Sequence, residues 1–310
     1  MGEILSGTVP AFLVILLGGG LIYRRHISAE SSAQFQKLNY YFFLPAMFLF
    51  GLGTSNFFDA SVLSIVVAVV SILSSATGLV WAWHVRSAKY GPQMLEASIR
   101  ANVPYGMAVS LALGGTDGLA LFLLAAAAYL PTVIIAGGLF GHFVSKQDLD
   151  PDAEQEYALA SSLRLLAQNP IIWGVAGGVA LNFANIPLAT GLSAMVHAAG
   201  YTAIPIGLLG AGAALNIAAA QNAFEAARGA TIASLAINLV GLPAAAGLAC
   251  LMLGLEGSEA VAVVLIAALP CLVPRFSVLG ASAKSVLPGL ATIATLASAV
   301  TIPISIWLIT

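Results

Sequence analysis

The chain has 310 residues, of which 60% are hydrophobic and only 8% are charged, and its formal net charge is −2. Soluble domains carry charged residues at about a quarter of their positions, so this composition excludes an ordinary soluble protein and predicts a polytopic membrane protein. No basic stretch is interleaved with aromatic residues, so we expect a lipid bilayer and no nucleic acid as partner.

Apolar segments of about 20 residues, the length that crosses a bilayer, recur along the whole chain. We place ten of them, near residues 8–23, 38–53, 61–84, 95–114, 118–144, 160–182, 189–216, 226–253, 258–284 and 288–309. The first has no basic residue before it and no small-residue cleavage pattern after it, so we interpret it as a retained helix and not a signal peptide. The predicted fold class is an all-α polytopic membrane protein with ten transmembrane helices.

Prolines recur in the same order in the two halves of the chain. The four of the first half and their counterparts in the second are Pro10 and Pro170, Pro45 and Pro205, Pro104 and Pro274, and Pro131 and Pro303. This order predicts a duplicated unit of five helices, and because five is odd, the second unit must cross the membrane in the opposite direction. We therefore expect two inverted repeats at residues 1–144 and 160–310, joined by an acidic cytoplasmic linker at 145–159.

Basic residues predict the orientation of the chain. They lie in or beside the odd-numbered connections between segments: Arg24, Arg25, Lys37, Arg86, Lys89, Lys146, Arg228 and Lys284. Because Lys and Arg are retained on the cytoplasmic side, we expect both termini outside. The acidic run of the linker is interpreted as a solvated segment, with an anion-repelling or regulatory patch as the alternative.

Prolines interrupt the fourth and ninth segments near their middle, in IRANVPYGMAV and ALPCLVPRFSV. Proline removes a backbone donor and disfavours helical geometry before it, so we predict breaks with Pro104, Pro270 and Pro274 as hinge or crossover residues. A single proline in a membrane helix is often only a kink. Here the interruption recurs at matching places in both halves, which is the best sequence indicator of a binding site in such transporters.

The two predicted breaks favour an anion. Each second half-helix would start just after its proline, with unpaired N–H groups and the positive end of its dipole at the crossing. Asn102 offers a donor and an acceptor there, or instead only ties the broken backbone; Arg275 adds a forked positive charge, or instead pairs with backbone carbonyls or reaches the cytoplasmic surface. The predicted substrate-binding residues are Asn102, Pro104, Tyr105, Pro274, Arg275 and Phe276.

Other ionisable residues point to no coupling chemistry. Every Asp and Glu can be placed in a loop or near a helix end, so no acid near the membrane midplane is expected. Arg100 is interpreted as snorkelling to the cytoplasmic surface and His197 as a packing residue, with a site role and a proton relay as the respective alternatives. Cys250 and Cys271 lack metal or redox spacing and are predicted to be small core residues. No metal site or cofactor is predicted.

The segments LNYYFFLPAMFLFGL, RANVPYG, QNPIIWGVAGG and IPIGLLGAGAAL together resemble the auxin efflux carrier family of bacterial and plant transporters, over essentially the whole chain. The resemblance implies a ten-helix fold with crossed, broken helices four and nine, as in bile acid sodium symporters and sodium/proton antiporters. It also implies a scaffold of helices 1, 2, 6 and 7 and a moving core of helices 3–5 and 8–10 that work by elevator-type alternating access. Members move organic anions such as malonate or indole-3-acetate and are often dimers.

The family's crossover asparagine and proline match Asn102 and Pro104, and its second crossover proline matches Pro274. Arg275 departs from the pattern, because family members often have an asparagine or a small residue there; this favours a stronger anion site or an internal countercharge. The short acidic linker resembles that of bacterial members. The resemblance therefore implies a bacterial cytoplasmic membrane.

These observations predict a secondary active or potential-driven transporter of small organic anions. The alternative is a sodium-coupled organic anion symporter of the bile acid type, with Asn102, Ser110, Thr116 and Asn216 as candidate sodium ligands. We do not expect an enzyme, because the chain lacks HExxH, GxSxG and paired midplane aspartates. A sensor would usually carry a soluble output domain, and no segment is long and polar enough to form one.

Overall fold

The computed structural model describes residues 1–55, 61–86, 90–148, 158–272 and 286–310. These ranges are helical and contain no strand. The α-helices in them are α1 (Gly2–Tyr23), α2 (Ala29–Leu38), α3 (Leu44–Gly53), α4 (Ser61–Arg86), α5 (Gly91–Ile99), α6 (Val103–Asp148), α7 (Ala158–Gln168), α8 (Pro170–Phe183), α9 (Thr190–Ala213), α10 (Ile217–Ala226), α11 (Arg228–Ala236), α12 (Leu242–Leu253), α13 (Gly257–Ala268) and α14 (Leu287–Trp307). Two π-helical turns, π1 (Asn39–Phe43) and π2 (Ile237–Gly241), precede α3 and α12.

The protein is a membrane protein. Within the described ranges, five helical stretches are long and apolar enough to cross a bilayer: Gly2–Tyr23, Gln93–Gly138, Thr190–Ala213, Arg228–Leu253 and Leu287–Trp307. The shorter helices α8 and α13 are also apolar. Large apolar side chains such as Leu13, Trp173 and Leu251 are more than half exposed, which suits contact with lipid tails, where exposed apolar surface costs nothing.

The helix boundaries differ from those of the predicted segments. The side chain of Asn169 accepts a 2.9 Å hydrogen bond from the N–H of Ile171 and caps α8, so α7 and α8 are separate. Gly115 has φ 60° and ψ −149° and turns the chain inside α6. This left-handed backbone favours glycine and separates the segments predicted at 95–114 and 118–144.

The two π-helical turns have the same cause. The N–H of Leu44 bonds to the carbonyl of Asn39, and the N–H of Leu242 bonds to that of Ile237, five residues back in each case. A proline that lacks an N–H follows both leucines, so the usual helical ladder would be interrupted there in any case, and the backbone widens instead. Each turn contains a buried asparagine, Asn39 in π1 and Asn238 in π2.

Glycines allow the closest helix contacts. Gly18 of α1 lies against the backbone of Leu209 in α9, and Gly212 of α9 lies against the backbone of Ile15, so a Cβ at either glycine would overlap those atoms. Small residues at such contacts let the backbones of membrane helices approach each other. In this way α1 packs on α9, and α3 packs on α8 and α9.

A second group of helices packs around α6. Its neighbours are α4 and α13, and α12 contacts both α4 and α13. The buried side chains of this group include Tyr105, Met107, Phe122 and Leu265. Because α6 also contacts α1 and α9, its first turns lie where the two groups of helices meet.

The paired prolines differ in backbone role. Pro10 lies inside α1, whereas its counterpart Pro170 begins α8. Pro45 follows a π-helical turn, whereas Pro205 lies inside α9. Among the three pairs whose two members lie in the described ranges, only Pro131 and Pro303 share a role, inside α6 and α14. The correspondence in sequence therefore does not extend to the local backbone at the first two pairs, and Pro274 lies outside the described residues.

Candidate functional site

Two helices end inside the protein, and the non-helical residues that follow them meet. Helix α5 ends at Ile99 and is followed by Arg100 in an extended conformation (φ −84°, ψ 137°); α13 ends at Ala268 and is followed by Leu269 in nearly the same conformation (φ −64°, ψ 136°). The N–H of Asn102 donates a 3.0 Å hydrogen bond to the carbonyl of Pro270. The fourth and ninth predicted segments are thus joined backbone to backbone at their interruptions.

Side chains from two other elements satisfy the carbonyls that the breaks expose. The hydroxyl of Tyr129, in α6, donates a 2.7 Å hydrogen bond to the carbonyl of Ile99. The amide Nδ2 of Asn238, in π2, donates to the carbonyls of both Ser98 (3.2 Å) and Leu269 (3.3 Å). Asn238 therefore bridges the two breaks, and the π-helical turn places its side chain between them.

The start of α6 differs from the expectation of open N–H groups. The carbonyl of Asn102 accepts from the N–H of Tyr105 (3.0 Å) and from that of Gly106 (3.3 Å), and Val103 donates to Ala101. Pro104 has no N–H to offer. The expectation that these groups are unpaired is wrong, because the first turn of α6 folds back onto Asn102. Only the positive end of the helix dipole remains available to an anion there.

The Asn102 side chain is a buried polar group without a described partner. Asn102 is 1% exposed, and neither Oδ1 nor Nδ2 has a hydrogen-bond partner among the described residues. A buried amide without partners costs about 1–3 kcal/mol, and such groups call for an explanation in function or in an unseen partner. The amide lies next to the hydrogen bond that joins the breaks.

An ion pair flanks the break on the α5 side. Nη2 of Arg100 lies 3.2 Å from Oε1 of Glu96, one helical turn earlier. The Glu96 side chain is 6% exposed and that of Arg100 is 21% exposed. The structure therefore turns Arg100 toward a buried acid, and not along the helix toward a membrane surface.

Sequence reasoning passed over Glu96 because it lies near a helix end, as predicted, and a helix end usually means water. Here the end is created by the break and lies inside the protein. The available signal was the spacing EASIR: an acid and a base four residues apart, with the proline four residues further on. Asn238 was missed as well, although INLVGLP resembles the LNYYFFLP around Asn39.

Arg100 lies at the centre of the site. It lies within electrostatic range of the hydroxyl of Tyr40 in π1, of that of Tyr129 in α6 and of the thiol of Cys271 after α13. The guanidinium is thus close to three elements that are distant in sequence. Among the described residues it is the cation that lies at the crossing.

A small cavity adjoins the breaks. It is lined by Ser98, Arg100, Tyr129, Asn238 and Leu269, together with apolar residues of α4 and α13. In this conformation its volume of about 10 Å³ is on the scale of a single water molecule, so the site would have to open to admit an organic anion. Oγ of Ser98 and Oδ1 of Asn238 are buried without a hydrogen-bond partner in the described part of the chain, which makes the cavity polar enough for a water or a small cation.

The other predicted substrate residues lie as follows. Pro104 packs its ring against Gly207 of α9, and Tyr105 is fully buried beside Ser298. Pro270 contributes its carbonyl to the joined backbone. Pro274, Arg275 and Phe276 lie outside the described residues, so nothing here bears on their predicted roles.

The candidate sodium ligands from the sequence do not line this cavity. Asn216 caps α10 by accepting from the N–H of Ala219, and Ser110 and Thr116 lie further along α6. In the described residues no group of three or more His, Cys, Asp and Glu side chains could hold a metal ion.

His197 and the two cysteines have packing roles. The His197 ring packs between Phe50 (4.7 Å) and Tyr201 (4.4 Å). Cys250 and Cys271 are buried and free, which confirms their interpretation as core residues. No family model and no curated protein matches the chain.

Proposed function

We propose that the protein is a secondary active or potential-driven transporter of small organic anions, in which Arg100 and Asn102 hold the substrate carboxylate at the joined breaks. The observation that carries this proposal is a partly exposed guanidinium beside a buried, unpaired amide at an interior helix break. Malonate and indole-3-acetate, the substrates that the resemblance to auxin efflux carriers implies, are suitable first probes.

Transport accounts for the interrupted backbone. Inside a bilayer, irregular backbone is tolerated only where it is buried in protein or lines an aqueous cavity, and ionisable groups at that depth usually serve a substrate or ion pathway. Discontinuous helices that meet at one point are the typical substrate site of secondary transporters. Around Asn102 and Pro270 the backbone is irregular and an ionisable group, Arg100, lies close by.

The chemistry of the site suits a carboxylate. The guanidinium has five N–H donors in a planar fork that matches two carboxylate oxygens. The amide of Asn102, two residues further on, offers two more donors, and the N-terminal dipole of α6 favours negative charge at the same point. Tyr40 of π1 lies within electrostatic range of Arg100 and is a candidate wall of the site.

The proposal includes an elevator-type mechanism. Ten spanning helices would form two inverted repeats, with helices 1, 2, 6 and 7 as the scaffold and helices 3–5 and 8–10 as the moving core. The packing of α1, α3, α8 and α9 on one another, and of α6 on α4 and α13, supports this division. We further propose a homodimer in a bacterial cytoplasmic membrane with both termini outside.

Uptake into proteoliposomes tests the proposal. The wild type should take up labelled malonate or indole-3-acetate with saturable kinetics, and Arg100→Ala should reduce the apparent affinity at least about tenfold, because a charged hydrogen-bond partner is lost. Arg228→Ala is the matched control, since Arg228 is exposed at the start of α11 and stacks on Phe224. Absence of transport across a carboxylate panel, with Arg228→Ala folded and equally silent, would overturn the proposal.

A sodium-coupled symporter is the second candidate. The small cavity favours it, because its lining includes Ser98 and Asn238, whose side-chain oxygens have no partner among the described residues, and side-chain oxygens at unwound helices can coordinate sodium in transporters. Replacing external sodium by choline should then abolish uptake. Unchanged uptake in choline would eliminate the sodium-coupled symporter and favour the transporter without sodium coupling.

A further inference from the structure

We propose that Asn39 is a specificity residue of the anion site and selects carboxylates that carry a hydroxyl group close to the carboxylate. In this arrangement Arg100 and Asn102 hold the carboxylate, and the side-chain oxygen of Asn39 accepts a hydrogen bond from the hydroxyl. The inference rests on the proposed anion site at Arg100 and Asn102 and names the class of substrate that this site takes.

The hydrogen bond that Asn39 already makes determines which end of its amide is free. Nδ2 of Asn39 donates to the carbonyl of Ala203 in α9 at 3.2 Å. A carbonyl can only accept, so the NH₂ group must point to α9. The other amide atom, Oδ1, is buried without a hydrogen-bond partner among the described residues, and Asn39 as a whole is 1% exposed. The unused atom is therefore an acceptor, which binds a donor and not an anion.

Asn39 lies beside the start of α6. A Cβ placed on Gly207 of α9 would lie 3.2 Å from Nδ2 of Asn39 and would overlap the ring of Pro104, so the amide and the proline ring border the same point. The residue after Asn39, Tyr40, is within electrostatic range of Arg100. The turn π1 therefore lies next to the segment, residues 100–104, that carries the proposed carboxylate site.

The two unpaired amides make different demands on a ligand. The Asn102 side chain has a free donor and a free acceptor, and together with the Arg100 guanidinium it can bind a carboxylate. Asn39 adds only an acceptor. A carboxylate without a donor leaves Oδ1 of Asn39 buried and unpaired, whereas a hydroxyl near the carboxylate satisfies it. A site that hydrogen-bonds a substrate hydroxyl disfavours the analogue without it, because the buried polar group then has no partner.

Two competing explanations of the free acceptor make different predictions. Oδ1 of Asn238 is likewise unpaired among the described residues and lines the small cavity, so it could receive the hydroxyl in place of Asn39. An ordered water on Oδ1 of Asn39 would satisfy that atom without any substrate. The first explanation predicts a hydroxyl preference that does not depend on Asn39, and the second predicts no preference for a hydroxyl.

The experiment measures by calorimetry how the purified protein in detergent binds malonate, tartronate (2-hydroxymalonate) and fluoromalonate, in mildly alkaline buffer where all three are dianions. They differ only at the central carbon, which carries no substituent, a hydroxyl or a fluorine. Fluorine is close to a hydroxyl in size but cannot donate a hydrogen bond. The wild type should bind tartronate about tenfold more tightly than either of the others. Equal affinity for tartronate and fluoromalonate would overturn the inference, and this comparison needs no variant.

Variants then test the assignment to Asn39. Asn39→Leu removes the acceptor at similar size, so the affinity ratio of tartronate to malonate should fall from about ten to about one. Asn182→Leu is the matched control, because Nδ2 of Asn182 donates to the carbonyl of Leu52 at the other end of α3 (2.9 Å). This variant also loses an amide contact between two helices, but it should keep the tenfold ratio. A tenfold ratio in Asn39→Leu, or its loss in Asn182→Leu, would contradict the assignment.

A further variant covers the case in which Asn39→Leu does not fold. Asn238→Leu removes the competing acceptor and should keep the tenfold ratio; its loss there would assign the hydroxyl to Asn238 and overturn the role of Asn39. If malonate binds and is transported but the hydroxyl adds no affinity, only the specificity inference fails. If none of the three anions binds to the wild type or to Asn182→Leu, the anion site itself fails, and the inference falls with it.

Discussion

The backbone N–H of Asn102 lies 3.0 Å from the carbonyl oxygen of Pro270 and donates a hydrogen bond to it. This bond joins the interruption after α5 to the interruption after α13. Because Asn238 also donates to a carbonyl on each side, the segments that follow α5 and α13 share one set of contacts, and we expect them to move together. A displacement of the site would therefore carry α5, the first half of α6 and α13 together.

Replacing Asn238 should loosen both breaks. Asn238→Leu removes the donor to the carbonyls of Ser98 and Leu269 and leaves two buried acceptors without it, which should lower the free energy of unfolding by about 1–3 kcal/mol. Thermal unfolding in detergent measures the change. Asn222→Leu, on the exposed side of α10, is the control and should melt like the wild type; equal melting of Asn238→Leu would show that the bridge contributes nothing.

The hydroxyl of Tyr129 should stabilise the end of α5. Tyr129→Phe keeps the ring and removes only the 2.7 Å hydrogen bond to Ile99, so we expect a loss of about 1–2 kcal/mol. Tyr23→Phe is a matched control because Tyr23 is 87% exposed. The prediction is wrong if both variants have the wild-type melting temperature.

Two neighbouring glycines in α1 should differ sharply. Gly18→Ala places a Cβ into the backbone of Leu209, whereas Gly20→Ala places one in open space. The first should destabilise the protein by about 1–3 kcal/mol through overpacking, and the second should be neutral or slightly stabilising, because alanine is the better helix former. Thermal unfolding of the two variants side by side checks the α1 to α9 contact, and equal stability would contradict it.

Gly207 should limit movement of α6 beside α9. A Cβ there would overlap the ring of Pro104, so Gly207→Ala should slow malonate uptake several-fold by forcing α6 away from its place beside α9. Gly191→Ala, in open space at the start of α9, should transport at the wild-type rate. If Gly207→Ala transports normally, the contact between Pro104 and α9 has no part in the transport cycle.

The outcome for particular residues shows how far sequence reasoning reaches. Asn102 is a predicted site residue because it precedes a proline in an apolar segment and offers both a donor and an acceptor, and it lies where the segments after α5 and α13 meet. The role of its neighbours was not foreseen: the N–H groups after Pro104 are used by the Asn102 carbonyl, and the partner of Arg100 is Glu96. The position of a proline predicts where a helix breaks, but it does not predict which hydrogen bonds and ion pairs form at the break.

The sequence by itself determined the membrane class and the helical fold, because apolar length and the missing proline N–H act within a few residues of chain. It also predicts breaks at Pro104 and Pro274 with Pro270 as a further hinge residue; α5 and α13 end at Ile99 and Ala268, shortly before Pro104 and Pro270, and Pro274 lies outside the described residues. Only the tertiary structure decided that these interruptions meet, that Asn238 bridges them and that the end of α5 lies inside the protein with Glu96 buried. Those features join residues from 31 to 140 or more positions apart or depend on what covers a helix end, and both are set by the packing of whole helices.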